Sequence, residues 1–160
     1  MQTFLPYPDF GACAAVLDAR RLGKQRVEAL QVLRGLTVAG YGWRHHPAVR
    51  MWRGYEEALV RYGLVICLQW TRSGRADTVA ASLRRDLAAA RGIDQVREQD
   101  QLALARALPD WLGQPDLHLS HRSALLHKQP DFYRPLFGDL PVMPYVWPRP
   151  APHPPPIGPA

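Results

Sequence analysis

One carboxylate stands alone among cations. Between Ala19 and Tyr55 the only acidic residue is Glu28, and around it lie Arg20, Arg21, Lys24, Arg26, Arg34, Arg44, Arg50 and Arg53. These residue types can divide a task on a polyanion. Guanidinium and ammonium groups hold phosphates, and the carboxylate moves protons. The same stretch also fits a solvated helix face on which Glu28 pairs with Lys24 at i,i+4. Lys before Glu is the weaker order for such a pair, and exposed pairs contribute only about 0.3–0.5 kcal/mol. The pair is therefore a thin reason to place a carboxylate there.

The distribution of charge points the same way. The net charge is +6. Residues 1–75 hold eleven Lys/Arg against five Asp/Glu, and residues 76–160 hold nine against nine, so the whole excess lies in the first half. A one-sided positive surface follows, as expected of a chain that binds nucleic acid. Arg outnumbers Lys eighteen to two. Arg suits bidentate phosphate contacts; a GC-rich genome also produces this bias, but it does not produce the asymmetry.

Two further groups have chemical character. The run Trp43-Arg44-His45-His46-Pro47 mixes aromatic, cationic and titratable side chains. Its rings suit base stacking or wedging, although Trp43 and Trp52 equally suit anchoring a loop. Arg44, His46, Arg50 and Arg53 are read here as nucleic-acid contacts, together with Arg20, Arg21, Lys24, Arg26 and, far along the chain, Arg122. A metal centre is not expected. His45 and His46 are adjacent and diverge, while His118-x-x-His121 has no Cys partner and no clear acidic third ligand. Cys13 and Cys67 form no CxxC motif and read as reduced thiols of a cytosolic protein.

These side chains need helices to carry them. Pro6 and Pro8 keep the first eight residues extended, and Asp9 is placed to cap a helix from Phe10. Helical spacing runs from Ala12 to Leu36, with a break expected near Gly23. Leu22, Ala29, Leu33 and Leu36 fall within about 60° of one another, and Arg20, Lys24, Glu28 and Gln31 fall opposite, so Glu28 is expected to point away from the core. Gly35 to Pro47 reads as a loop, and Pro47 opens a short helix. A second strong helix is expected over Arg53–Arg72, ended by Gly74. Further helices are expected over Asp77–Ala90, Asp94–Leu108 and Ser120–Lys128, the last halted before Pro130. No strand pattern, repeat, secretory signal or membrane-length apolar run is present. The expectation is an all-α, single-domain helical bundle over residues 1–140. Residues 141–160 form a Pro-rich extended tail laid over it by Tyr145 and Trp147.

Leu17-Asp18-Ala19-Arg20-Arg21-Leu22-Gly23-Lys24-Gln25-Arg26-Val27-Glu28 resembles the first-helix segment of the endonuclease V-type pyrimidine-dimer DNA glycosylases, and the whole chain looks like their bacterial branch. In that segment leucines at the positions of Leu17 and Leu22 precede the family's catalytic glutamate, which falls on Glu28 without a gap. Tyr55 to Asp77 resembles the family's long central helix. Arg122 through Tyr133, then Phe137-Gly138, resembles its C-terminal segment. The resemblance implies a DNA-repair glycosylase with abasic-site lyase activity. The expected substrate is damaged double-stranded DNA carrying pyrimidine dimers or related lesions, with no cofactor, and the expected location is the cytoplasm at the nucleoid. The residues do not fix the oligomeric state, and a monomer is the favoured expectation. The resemblance also implies that the N-terminal amine attacks C1′ of the damaged nucleotide and that the glutamate assists ring opening and proton transfer. Gln2 blocks removal of the initiator, so the amine would be that of Met1. About five more residues separate this N-terminus from the motif than in the family, and they must loop back for Met1 to reach Glu28. Two other readings fit the same residues. One is a DNA-binding module without chemistry. The other is an all-α interaction protein whose Pro-rich tail recruits a partner.

Overall fold

The computed structural model describes residues 1–149. Among these the protein is all-helical: α1 (Phe10–Val16), α2 (Ala19–Thr37), α3 (Pro47–Arg50), α4 (Glu56–Arg72), α5 (Val79–Arg91), α6 (Gln99–Leu104), α7 (Pro115–Lys128) and α8 (Pro130–Phe137). No helix is long and apolar enough to cross a membrane, among the described residues.

The bundle centres on α2, α4 and α5, which pack mutually; α1 lies on α4, α3 on α2, and α8 on α7. They meet where side chains are small. A Cβ on Gly63 would lie 2.7 Å from Leu83 Cδ1 and 3.1 Å from Ala29 Cβ, so glycine there lets three helices approach closely. Leu33 of α2, Tyr62 and Ile66 of α4, and Leu83 and Leu87 of α5 are buried around that point. Each fully buried side chain of this kind contributes about 1.5–3 kcal/mol. Trp52 and Trp111, both buried, meet edge to face, centroids 5.0 Å apart. Both cysteines are buried and unpaired, and burial pushes each thiol up to about 12.

The boundaries differ from the sequence expectation for local reasons. The expected helix over Ala12–Leu36 breaks at Leu17–Asp18 rather than near Gly23. Asp18 caps α2, accepting from Arg20 N at 3.0 Å and Arg21 N at 3.1 Å. Gly23 continues the helix, and a Cβ there would lie 2.9 Å from the Trp70 ring, so this glycine serves close packing. The helix expected from Arg53 starts at Glu56, because Gly54 takes a left-handed φ of 84°. Of Asp94–Leu108 only Gln99–Leu104 is helical. Glu98 and Gln101 form a capping box that starts it. The carbonyls of Val96 and Arg97 before it are taken by the Arg61 guanidinium instead. Helix α7 starts five residues earlier than expected, with Pro115 in its first turn. Pro130 does halt α7, but it also opens α8, which the proline-based reading missed.

Residues 141–149 are extended and lie along α7. Ser123 Oγ donates to the Pro141 carbonyl (2.6 Å) and accepts from Met143 N (3.1 Å), and Ser120 Oγ accepts from Val146 N (3.2 Å). Tyr145 packs on His121 and Trp147 on His46, as the two aromatics led one to expect. The remainder of the Pro-rich tail expectation lies outside the described residues.

Candidate active site

The N-terminal segment carries no regular secondary structure, yet Gln2 to Pro6 are all buried. Backbone groups in that position need partners, and side chains of three helices supply them. From α2, the Gln25 amide is fully buried; Nε2 donates to the Gln2 carbonyl (2.8 Å) and Oε1 accepts from Phe4 N (2.8 Å). From α4, the Tyr62 hydroxyl lies 3.0 Å from the Phe4 carbonyl and 2.6 Å from Gln25 Oε1. Burial raises Tyr62 well above the usual tyrosine range, which keeps it a donor. From α7, His121 Nδ1 accepts from Leu5 N (3.0 Å), His118 Nδ1 donates to the Leu5 carbonyl (2.7 Å), and Arg122 donates to the Pro6 carbonyl (2.8 Å). Trp52 Nε1 donates to Thr3 Oγ1 (2.9 Å).

This scaffold delivers the Met1 amine to Glu28. The nitrogen lies 3.7 Å from Glu28 Oε1, and Lys24 Nζ lies 3.6 Å from the same oxygen. Both distances exceed a direct hydrogen bond. The other oxygen, Oε2, accepts from Gln25 Nε2 at 2.6 Å. One carboxylate oxygen is thus tied to a buried amide, while the other faces the Met1 amine and Lys24 just beyond hydrogen-bond distance. The Met1 side chain is 3 % exposed while the residue as a whole is only partly buried, so its remaining accessible surface is main chain.

Helical phasing misjudged the surroundings of Glu28. The residue is 6 % exposed, not on a solvated face. The N-terminal segment crosses that edge of α2, and Tyr145 comes near enough to feel the carboxylate's charge. Burial is the first cause of the raised Tyr145 pKa, with the Gln2 side chain opposing it. His46 also senses the site. Burial first, and the Met1 charge second, lower its pKa. Its ring contacts Trp43 and Trp147, which are 51 % and 36 % exposed, so accessible aromatic rings border His46.

The cations expected on DNA divide into two groups. Arg20, Lys24, Arg44, Arg50 and Arg53 are exposed. Arg44 and Arg53, with His45, border a recess of about 400 Å³ at the C-terminal end of α2. The others are engaged within the fold. Arg26 pairs with Asp77 and stacks over Trp70 at 4.3 Å. Arg21 pairs with Asp18 at 2.8 Å and donates to Gln129 Oε1. The Asp18 pKa is lowered; burial acts upward, but hydrogen bonds from Tyr133 and Arg21 outweigh it. Arg122 holds Pro6 and sits over the Tyr7 ring.

Sequence reasoning missed Gln25, Tyr62, His118 and His121. The spacing of the two histidines was visible, but it was weighed only as a metal motif. Their ring nitrogens instead face Leu5 and Gly113.

No curated protein matches the chain, and no solved structure matches it. The family model for pyrimidine dimer DNA glycosylases matches residues 1–83, which include the N-terminal segment, Glu28 and α4. With just over half of its 160 residues matched, the chain belongs to the pyrimidine dimer DNA glycosylase family.

Proposed function

We propose that the protein removes damaged bases from duplex DNA and nicks the resulting abasic site, with the Met1 amine as nucleophile and Glu28 as proton-transfer group. The observation that carries this reading is the Met1 amine 3.7 Å from a buried carboxylate. The amine lone pair attacks C1′ and the glycosidic bond breaks, its electron pair leaving with the base. The nitrogen then loses its protons as the sugar ring opens, giving a C1′=N Schiff base. Loss of a C2′ proton expels the 3′ phosphate oxygen by β-elimination. Glu28 Oε1, which faces the amine, is the group placed to accept and return these protons. Exposed Arg20, Lys24, Arg44, Arg50 and Arg53 hold backbone phosphates. Extrusion of the target nucleotide into the site follows from the need to reach C1′. In this reading residues 1–140 are the catalytic unit and 141–160 a tail.

The test is borohydride trapping on duplex DNA containing an abasic site. A covalent adduct is expected with the native N-terminus and none after selective blocking of the α-amine. Absence of an adduct under conditions where the duplex is bound sinks the lyase chemistry. Glu28→Gln is expected to lower single-turnover base release by about 10²–10⁴-fold; unchanged turnover removes Glu28 from the mechanism.

A further inference from the structure

We infer that His118 and His121 are positioning residues for the Met1 amine. They form a pair of neutral imidazoles on α7 that clamps both backbone groups of Leu5 and sets how far the N-terminus reaches toward Glu28. The inference rests on the reading of Met1 as the nucleophile. It concerns a part of the chain beyond residues 1–83, the span shared with the family.

The two rings hold opposite tautomers. His118 Nε2 accepts from Gly113 N at 2.9 Å, so its proton is on Nδ1, which donates to the Leu5 carbonyl. His121 Nδ1 accepts from Leu5 N, so its proton is on Nε2. One helical turn therefore presents a donor and an acceptor to one residue, matched as a neighbouring β-strand would match it. The rings are 3 % and 0 % exposed, and burial keeps both neutral. An imidazolium at 121 would turn a second N–H against Leu5 N.

Fold stability alone is a poor reason for this arrangement. Among the described residues, His121 Nε2 is buried without a hydrogen-bond partner, a destabilising feature that an apolar side chain would avoid. What the pair does secure is the register of the segment. Three residues separate Leu5 from Met1, and Gln25 holds two of their backbone groups. With Leu5 clamped at the other end, little slack remains in the reach of the amine. A displacement of about 1 Å at a nucleophile is enough to cost about 10²-fold in rate.

The full-length chain tests this through His121→Phe, which fills the space but accepts no hydrogen bond, and His121→Asn, whose Oδ1 can replace Nδ1. Three readouts are needed: exchange of the Leu5 amide by NMR, the single-turnover rate of borohydride trapping on an abasic duplex, and the Kd for that duplex. His121→Phe is expected to accelerate Leu5 exchange about 100-fold with α4 interior amides unchanged. It should slow trapping about 30-fold with Kd within about twofold, and His121→Asn should recover the rate to within about threefold. Trapping at the wild-type rate in His121→Phe overturns the clamp. So does a rate loss matched by a loss of DNA affinity, or a folded His121→Asn that recovers nothing. If His121→Phe does not fold, His118→Phe carries the decision, with an expected loss of about tenfold. If the wild-type protein itself gives no adduct, the nucleophile reading fails. The clamp is then decided by Leu5 exchange, and exchange insensitive to His121→Phe overturns it.

Discussion

Two extended segments dock on α7, and they are held in contrasting ways. The N-terminal residues 2–6 are buried, and side chains of α2, α4 and α7 take up their backbone groups. Residues 141–149 include no buried residue and are held by two serine hydroxyls and two aromatic contacts. The same helix thus grips one segment through His118, His121 and Arg122 and the other through Ser120 and Ser123. The contrast shows where geometry is demanded. A polar contact in a dry interior leaves an unsatisfied group when it is broken, whereas at the surface water replaces it. The segment that carries the amine is held in the first way. The strap that carries Tyr145 and Trp147 lies between the two cases: its own residues are not buried, but the Ser120 and Ser123 hydroxyls beneath it are.

The largest way to break this contrast is Gln25→Leu. It leaves the Gln2 carbonyl, Phe4 N and one Glu28 oxygen without their buried partner, at about 1–3 kcal/mol for each unsatisfied group. A loss of roughly 3 kcal/mol in urea unfolding is expected, with fast exchange of amides 2–5 and no change in those of the strap. A loss below about 1 kcal/mol would mean that water reaches the segment and the two docking modes are alike.

Acid sharpens the same distinction. Burial, and the nearby His118, lower the pKa of His121 to about 3. In the unfolded chain it titrates at its ordinary value near 6.5. Between these values the unfolded state binds the extra proton. The contribution to stability is therefore full above pH 6.5 and declines as pH falls toward 3, by at most about 1.4 kcal/mol per pH unit from this residue. Lowering pH through that window should release the N-terminal segment first, because it loses the His121 hydrogen bond to Leu5 N. The strap loses only the packing of Tyr145 on His121 and keeps its serine hydroxyl contacts at 141–146. In His121→Phe the pH slope between 6.5 and 3 should flatten; an unaltered slope removes His121 as its source.

The smallest effect is expected at the strap. Ser123→Ala removes the bonds to the Pro141 carbonyl and Met143 N. It should cost about 0.5–1.5 kcal/mol and change the trapping rate by less than about threefold. A rate loss like that of a clamp variant would make the strap part of the reacting geometry, and the contrast would collapse.

How much of this was legible in the chain depends on the range of each interaction. The caps by Asp9 and Asp18, the opening of α3 by Pro47 and the stop at Pro130 involve neighbours within a few residues. Asp9, Pro47 and Pro130 could be read directly. The missed start of α8 is instructive, because a proline that ends one helix is also acceptable in the first turn of the next. Arg26 illustrates the opposite limit. It reads as a phosphate ligand within a basic run, but the fold brings Asp77 and Trp70 to it from 51 and 44 positions away.

By itself, the sequence determined that the molecule is helical, that positive charge gathers in its first half, and that Glu28 is an isolated carboxylate on α2 beside Lys24. Those properties follow from local periodicity and composition, which are complete in the linear chain. Only the tertiary structure decided that Glu28 is buried, that Gln25 bridges it to the N-terminal segment, and that an HxxH spacing grips a backbone amide 116 residues away. Hydrogen bonds across such separations are set by the path of the chain through space. That path is fixed by how α2, α4 and α7 pack, and no periodicity within any one of them encodes it.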